Sequence, residues 1–112
     1  LFYRRSFVYV GDVAKAFDVI MHLGHDGATY NVSGAKEITV NETAEMILDI
    51  LGKKTDVTTT NVKDRLFNDC RYFIDDSNLR ALGWSPEGDF EEGMKITVEW
   101  YAKTILFSSA NC

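Results

Sequence analysis

The stretch RRSFVYVGDVAKAFDVIM, residues 4–21, changes its hydrophobic period partway along its length, and that change decides the class of the fold. Residues 6–10 are mostly β-branched or aromatic, a composition that favours a short strand. From Asp12 onward, apolar side chains recur every three or four residues, which predicts a helix that ends near Gly24. The buried stripe of this helix is predicted to comprise Val13, Ala16, Phe17, Ile20 and Met21.

The same alternation of strand and helix continues along the chain. A second strand is predicted over residues 28–33. Thr39 and Glu42 have the spacing of a capping box, which opens a second helix that stops at Gly52. The Thr- and Val-rich segment 56–62 predicts a third strand.

Two further helices are predicted in the C-terminal part of the chain. A short one covers about 76–82, and a long one runs from a capping signal at Asp89 to about residue 106. Residues 71–74 are expected to add a brief edge pairing. The buried stripe of the long helix is predicted to comprise Phe90, Met94, Val98, Tyr101 and Ile105. We therefore expect one α/β domain over residues 1–112, with a small parallel or mixed sheet.

Composition and charge argue against several classes of protein. The chain has 17 acidic and 12 basic residues, a net charge of −5. This balance argues against nucleic-acid binding, because duplex affinity depends on basic residues that neutralise phosphates. The sequence shows no apolar run long enough to span a bilayer and no secretory signal. Cys70 and Cys112 form no disulfide framework, so we expect free thiols in a cytoplasmic protein without a membrane partner.

The residues that could carry chemistry do not form a catalytic set. There is no GxGxxG or GxxxxGK[ST] loop and no Tyr-x-x-x-Lys pair. His22 and His25 lie three residues apart, but a metal site needs further ligands that the sequence does not supply nearby. Asp75 and Asp76 precede a predicted helix and are interpreted as N-caps. We therefore assign no catalytic, cofactor-binding or metal-binding residue in this chain.

The arginines are the remaining candidates for ligand binding. Arg5 precedes the first strand, and Arg65 and Arg71 lie on a predicted loop. Guanidinium groups suit two-point recognition of phosphate oxygens and stay charged in any surroundings. Alternatively, each arginine pairs with a neighbouring aspartate in a solvated surface bridge that contributes little. Spacing along the sequence leaves both interpretations open.

Three segments together resemble a known family. The stretch at 4–21 and the stretch GATYNVSGAKEITVNETAEMI, 27–47, resemble extended short-chain dehydrogenase/reductase enzymes that act on nucleotide sugars. The more specific match combines DRLFNDCRYFIDDSNLRALGW, 64–84, with FEEGMKITVEWY, 90–101. This combination resembles the signature of the nucleoside-diphosphate-sugar 4,6-dehydratases.

The resemblance implies a fold and a function. It implies the small C-terminal substrate lobe of an extended short-chain dehydrogenase/reductase, with short strands and three to four helices. The Rossmann half, which in this family binds NAD and supplies the Tyr-x-x-x-Lys pair, is absent from the chain. The complete enzyme would be a lyase that makes a 4-keto-6-deoxy sugar. Since the family dimerises through the missing half, the isolated chain is expected to be monomeric and to show no turnover.

The resemblance also implies which residues bind the nucleotide sugar. Matched by motif, Arg5 and Arg65 would clamp the diphosphate, and Asn68 would form a hydrogen bond near the phosphate and ribose. Val40 falls where the family packs a residue close to the base. The substrate implied is UDP-glucose or dTDP-glucose.

Details of the 64–84 segment refine this expectation. Arg71 and Tyr72 are expected to shape the loop rather than to bind the ligand. Leu66 stands where the motif usually has proline, so the loop lacks one fixed dihedral angle. Asn68, preceded by Phe67, resembles the UDP-glucose branch, which includes the dehydratase part of plant rhamnose synthases.

Two other functions compete with this interpretation. An epimerase or reductase of the same superfamily would use the same lobe. A stand-alone binding module would instead use the arginines to recognise a protein partner.

Overall fold

The computed structural model describes residues 3–55, 59–60, 62–63, 70–72 and 74–109, with side chains described up to Ile105. Within these ranges the elements are β1 (Arg4–Ser6), α1 (Val10–Leu23), β2 (Glu37–Thr39), α2 (Val40–Ile50), α3 (Ser77–Ala81) and α4 (Phe90–Ser109). The predicted α/β class is confirmed.

The strands pair in both directions. β1 and β2 are antiparallel, with register pairs Arg4 with Thr39, Arg5 with Ile38 and Ser6 with Glu37. Arg71 adds an isolated parallel bridge to Arg4, and the Arg4 amide donates to the Cys70 carbonyl at 3.0 Å. The pairing is therefore mixed, and the edge contact expected at 71–74 is present at Arg71.

The first predicted strand is displaced. It covers Arg4–Ser6 instead of residues 6–10, because Tyr9 is already the N-cap of α1 and Val10 is its first residue. This helix ends before Gly24, as predicted.

The strand predicted over 28–33 does not form. Side-chain bonds instead join this region to the end of β1: the Ser6 and Ser33 hydroxyls lie 3.0 Å apart, and the Gly34 amide donates to Ser6 Oγ at 3.1 Å. A Cβ at Gly34 would overlap the Phe7 carbonyl oxygen, so only glycine fits this close approach.

The third predicted strand is absent where it can be examined. Residues 59, 60 and 62 are described and have no strand assignment. The rest of segment 56–62 lies outside the described residues.

The buried core lies between α1 and α3. Ala16, Leu79 and Trp84 are buried together, with half-buried side chains packed around them: Val19, Ile20, Tyr30, Val32 and Leu82. The buried Asp12 joins the segment after α3 to α1, because its carbonyl accepts from Trp84 Nε1 at 3.0 Å and its carboxylate from the Glu87 amide at 3.2 Å. These bonds fix the start of α1 and hence the end of β1.

Part of each predicted helical stripe is exposed. On α1, Ala16 is buried, but Phe17 and Met21 are 62% and 81% exposed, so the prediction is wrong for those two residues. On α4, it is also wrong for Tyr101 and Ile105, which are exposed. At 20 residues, α4 is nearly twice as long as the 11-residue α2 that it packs against, so this contact covers only part of its length.

The capping box of α2 is confirmed. Thr39 Oγ1 accepts from the Glu42 amide at 3.1 Å, and Glu42 Oε2 accepts from the Thr39 amide at 2.8 Å. Because Thr39 is both the last residue of β2 and the N-cap of α2, the strand pair sets the position of the α2 N-terminus. Within the described residues, no helix combines the length and apolar character needed to cross a membrane.

Candidate functional site

The strand pair brings two of the predicted site residues to one corner. Arg5 lies opposite Ile38, and Val40 follows two residues later as the first residue of α2. The Val40 amide donates to the Tyr3 carbonyl at 3.1 Å, which ties the start of α2 to the chain just before β1. Arg5 is half-buried and Val40 is exposed. We call Tyr3, Arg5, Val40 and Tyr72 the arginine corner.

Aromatic rings surround the guanidinium of Arg5. Its Cζ atom lies 4.7 Å from the centre of the Tyr72 ring and 5.7 Å from the centre of the Tyr3 ring. Arg5 Nη1 also donates to the Arg4 carbonyl at 2.8 Å. Both rings are within cation–π distance of the guanidinium, an interaction that does not require its N–H groups as hydrogen-bond donors.

Arg71 ties its own segment to β2. Its Nε and Nη2 donate to the Glu37 carboxylate at 3.0 and 2.7 Å, a two-point contact between residues 34 positions apart. These hydrogen bonds raise the pKa of Arg71 and lower the pKa of Glu37. Arg71 therefore ties the chain after the loop to β2, and its role in shaping the loop itself stays a prediction because residues 64–69 lie outside the described residues.

The other two predicted site residues, Arg65 and Asn68, lie outside the described residues, as does Leu66. The convergence of Arg5 and Arg65 on one anion therefore stays a prediction. The described residues that follow this segment, Cys70–Tyr72, lie against β1 through the Arg4 amide and the ring of Tyr72.

Arg4 lies in a different electrostatic environment from Arg5. It lines a pocket of about 320 Å³ together with Lys36 and four acidic residues, Glu37, Glu42, Glu45 and Asp49, so carboxylates outnumber cations there by four to two. The pKa of Glu42 is lowered, first by hydrogen bonds from Thr39 and in addition by the charge of Arg4. Four carboxylates disfavour an anionic ligand, so this acidic pocket is a poor diphosphate site.

A larger groove lies between the residues after β1 and the helices α2 and α4. Its volume is about 700 Å³, and its lining is mainly apolar: Phe7, Tyr9, Val10, Ile47, Met94 and Trp100. Lys36 also lines it and pairs with Glu91 at 3.8 Å. This apolar groove does not include Arg5, and its chemistry does not suit a diphosphate. Sequence reasoning missed the groove, although its lining residues include members of the stripe predicted for α4.

The remaining titratable candidates have structural roles. His22 Nδ1 lies 2.8 Å from the Asp18 carbonyl one turn earlier. Asp75 accepts from the Ser77 amide at 2.9 Å, which lowers the Asp75 pKa, but Asp75 precedes the N-cap residue, so its predicted N-cap role is wrong. Asp76 occupies the N-cap position, but its carboxylate instead accepts from Arg80 at 2.8 Å. Among the described residues, no cluster of His, Cys, Asp and Glu could hold a metal ion.

Comparison with known proteins places this geometry in context. No family model matches the chain. The chain is 42% identical over 99 residues to an Arabidopsis thaliana trifunctional UDP-glucose 4,6-dehydratase/UDP-4-keto-6-deoxy-D-glucose 3,5-epimerase/UDP-4-keto-L-rhamnose-reductase, covering 88% of this chain and 15% of the relative.

Two solved structures resemble the fold closely. The dTDP-glucose 4,6-dehydratase of Streptomyces venezuelae, solved with NAD, superposes with a TM-score of 0.81 at 30% identity, over 91% of this chain and 32% of that one. The UDP-glucose 4-epimerase of Thermotoga maritima, solved with UDP-glucose, gives 0.82 at 30% identity, over 93% and 33%. This chain thus spans a third or less of each of these proteins.

Proposed function

Because the chain is homologous to one segment of the nucleoside-diphosphate-sugar 4,6-dehydratases and shares the fold of extended short-chain dehydrogenase/reductase enzymes, we propose that it is the substrate-binding lobe of such a dehydratase. In this proposal residues 1–112 form one lobe that binds the nucleoside diphosphate of a nucleotide sugar. The chemistry on the sugar belongs to the part of the relatives that this chain does not span.

The single observation that carries the proposal is the environment of Arg5. Arg5 is half-buried, its guanidinium lies over the rings of Tyr72 and Tyr3, and its register partner Ile38 comes two residues before the start of α2. A diphosphate accepts hydrogen bonds at several oxygens, so a positioned guanidinium is a suitable partner for it. Arg65 and Asn68 would complete the site by motif, and Val40 would lie near the base.

UDP-glucose is the substrate we propose. Asn68 and Phe67 follow the pattern of the UDP-glucose branch. The Arabidopsis relative, 42% identical, is named for UDP-glucose 4,6-dehydratase activity. The mouse dTDP-D-glucose 4,6-dehydratase is 35% identical.

NAD has no assigned residue in this chain. The sequence contains no glycine-rich loop of the kind that binds the phosphates of NAD. NAD would therefore bind the part of a complete enzyme that this chain does not span, and we derive no chemical step through it. For the same reason, the chain incubated with UDP-glucose and NAD should give no 4-keto-6-deoxy product when the mixture is analysed by chromatography.

Calorimetric titration with UDP tests the binding proposal. UDP should bind, and uridine, which lacks the diphosphate, should bind far more weakly. Arg5→Ala and Arg65→Ala should each weaken UDP binding. If neither substitution changes the affinity, the diphosphate assignment is wrong.

A second candidate function is epimerisation of a nucleotide sugar. The observation in its favour is the TM-score of 0.82 with the Thermotoga maritima UDP-glucose 4-epimerase. Product analysis on a complete enzyme that carries this lobe separates the two functions. A 4-keto-6-deoxy sugar indicates the dehydratase, and a sugar inverted at C4 indicates the epimerase.

A further inference from the structure

We propose that Tyr72 is a positioning residue that holds the guanidinium of Arg5 ready for the diphosphate, an inference that rests on the proposed function. The proposal extends the ligand-binding set to a residue that the sequence assigned only to the shape of a loop. It concerns orientation, since Tyr72 would act on the ligand through Arg5.

The distances favour Tyr72 over Tyr3 in this role. The centre of the Tyr72 ring is 4.7 Å from Arg5 Cζ, one ångström closer than that of Tyr3 at 5.7 Å. A ring within cation–π distance of a guanidinium restricts how that group can turn, and this contact does not require the N–H groups as hydrogen-bond donors. The Tyr72 ring therefore helps to orient Arg5.

The backbone around Tyr72 is fixed on both preceding residues. The Cys70 carbonyl accepts from the Arg4 amide at 3.0 Å, and Arg71 forms its two-point contact with Glu37. Both bonds connect to the β1–β2 pair, the same pair that positions Arg5. The ring and the guanidinium are thus both attached to the same strand pair, an arrangement that favours preorganised binding.

UDP titration of two Tyr72 variants tests the proposal. Tyr72→Leu removes the ring and should weaken UDP binding about two- to fivefold, the range of an exposed cation–π contact. Tyr72→Phe keeps the ring and should bind UDP like the unmodified chain. Tyr101→Leu, which removes an exposed tyrosine from α4, serves as the matched control and should leave the affinity unchanged.

A double variant separates positioning from a general structural role. If Tyr72 acts through Arg5, Tyr72→Leu should have no further effect on UDP affinity in the Arg5→Ala background. Additive losses would overturn the proposal, as would an equal loss in Tyr72→Phe. If Tyr72→Leu does not fold, the Arg5 side-chain shifts of the unmodified chain decide the question, and the absence of an upfield shift would overturn the proposal.

The NMR signals of the Arg5 side chain provide a readout that needs no ligand. In the unmodified chain and in Tyr72→Phe, ring currents should shift the Arg5 side-chain protons upfield, and Tyr72→Leu should lose most of that shift. If the unmodified chain does not bind UDP, the proposed function fails, and these spectra still decide whether Tyr72 orients Arg5. An unchanged Arg5 shift in Tyr72→Leu would overturn the inference whatever UDP does.

Discussion

The two arginines at the start of β1 are neighbours in sequence and lie in opposite environments. Arg4 is exposed and lines a pocket with four carboxylates, whereas Arg5 is half-buried against two tyrosine rings. The two-residue period of a strand explains the difference, because successive side chains point to opposite faces of the sheet. The Arg-Arg pair thereby places one guanidinium among several carboxylates and the other near two aromatic rings.

This contrast leads us to expect that the surroundings of each arginine, and not only its position in the motif, will determine how well it binds an anion. The carboxylates near Arg4 attract its guanidinium and repel a phosphate. The rings near Arg5 attract its guanidinium without adding negative charge of their own. Substitutions can alter the surroundings of Arg4, the surroundings of Arg5, or the strand pair that carries both.

The largest effect should come from Gly34→Ala, which disturbs the end of β1, the strand that carries both arginines. The new Cβ would overlap the Phe7 carbonyl oxygen just after β1. We expect a loss of about 3 kcal/mol in the free energy of unfolding, measured by urea denaturation. Gly88→Ala is the control, since its Cβ would make only an ordinary contact with Asp12 at 3.7 Å. Equal stability of the two variants would contradict the close approach.

The next largest effect should be the difference in UDP affinity between Arg5→Ala and Arg4→Ala. Arg5→Ala should weaken UDP binding about 10- to 100-fold, the range for a hydrogen bond to a charged group. Arg4→Ala removes the same charge one residue away and should change the affinity less than about twofold, because local acids balance that charge. Calorimetry on both variants measures the contrast. Equal losses would mean that net charge, and not the arginine corner, governs binding.

Loss of the α2 cap should act on stability alone. Thr39 pairs with Arg4 in the register, and its hydroxyl accepts from the Glu42 amide. Thr39→Ala should lower the free energy of unfolding by about 1 kcal/mol, while UDP affinity should stay near that of the unmodified chain. Thr104→Ala, which removes an exposed hydroxyl from α4, is the control for losing a threonine. A large loss of UDP affinity in Thr39→Ala would show that the face of the strand pair with Arg4 and Thr39 influences binding at the face with Arg5.

The smallest effect should come from Glu37→Gln, and it should depend on pH. Hydrogen bonds from Arg71 lower the pKa of Glu37 from its ordinary value of 4.5. A carboxylate with a lowered folded-state pKa stabilises the fold above its unfolded pKa and loses that contribution as the pH falls through the folded value. Glu37→Gln should therefore be less stable than the unmodified chain at neutral pH, and the difference should shrink below about pH 4.5.

Urea denaturation at a series of pH values measures this difference. Glu99→Gln, which removes a negative charge from the exposed surface of α4, is the matched control. A stability difference that stays constant from neutral to acidic pH would show that the bond between Arg71 and Glu37 contributes nothing.

The sequence predicted the helices better than the strands, for a physical reason. The cap of α2 is local, since Thr39 and Glu42 meet within one turn, and a four-residue pattern is enough to predict it. The strand expected over 28–33 depended on a partner elsewhere in the chain. Strand propensity measures how well side chains fit a pleated surface and cannot supply that partner.

The buried faces were only partly predictable. Helical spacing marked Ala16 and Phe17 as members of one apolar stripe, yet Ala16 is buried and Phe17 is exposed. Periodicity gives the apolar side of a helix but not how much of that side a neighbouring element covers. On α4 the same limit explains the exposed Tyr101 and Ile105.

The candidate site was predicted from family resemblance and not from spacing. Spacing left the arginines undecided between anion binding and local ion pairs. The structure brings Arg5 and Val40 to one corner, whereas Arg65 and Asn68 lie outside the described residues. The stack of Tyr72 on Arg5 joins residues 67 positions apart, and no local pattern reports such a contact.

The apolar groove has a practical consequence for measuring the stability of this chain. Its volume of about 700 Å³ and its exposed lining suit hydrophobic dyes such as ANS, which report on accessible apolar surface. Such a dye should fluoresce with the native chain before any heating, so a dye-based melting curve would start from a high baseline. Circular dichroism is the better probe, since it follows the helices without depending on dye uptake.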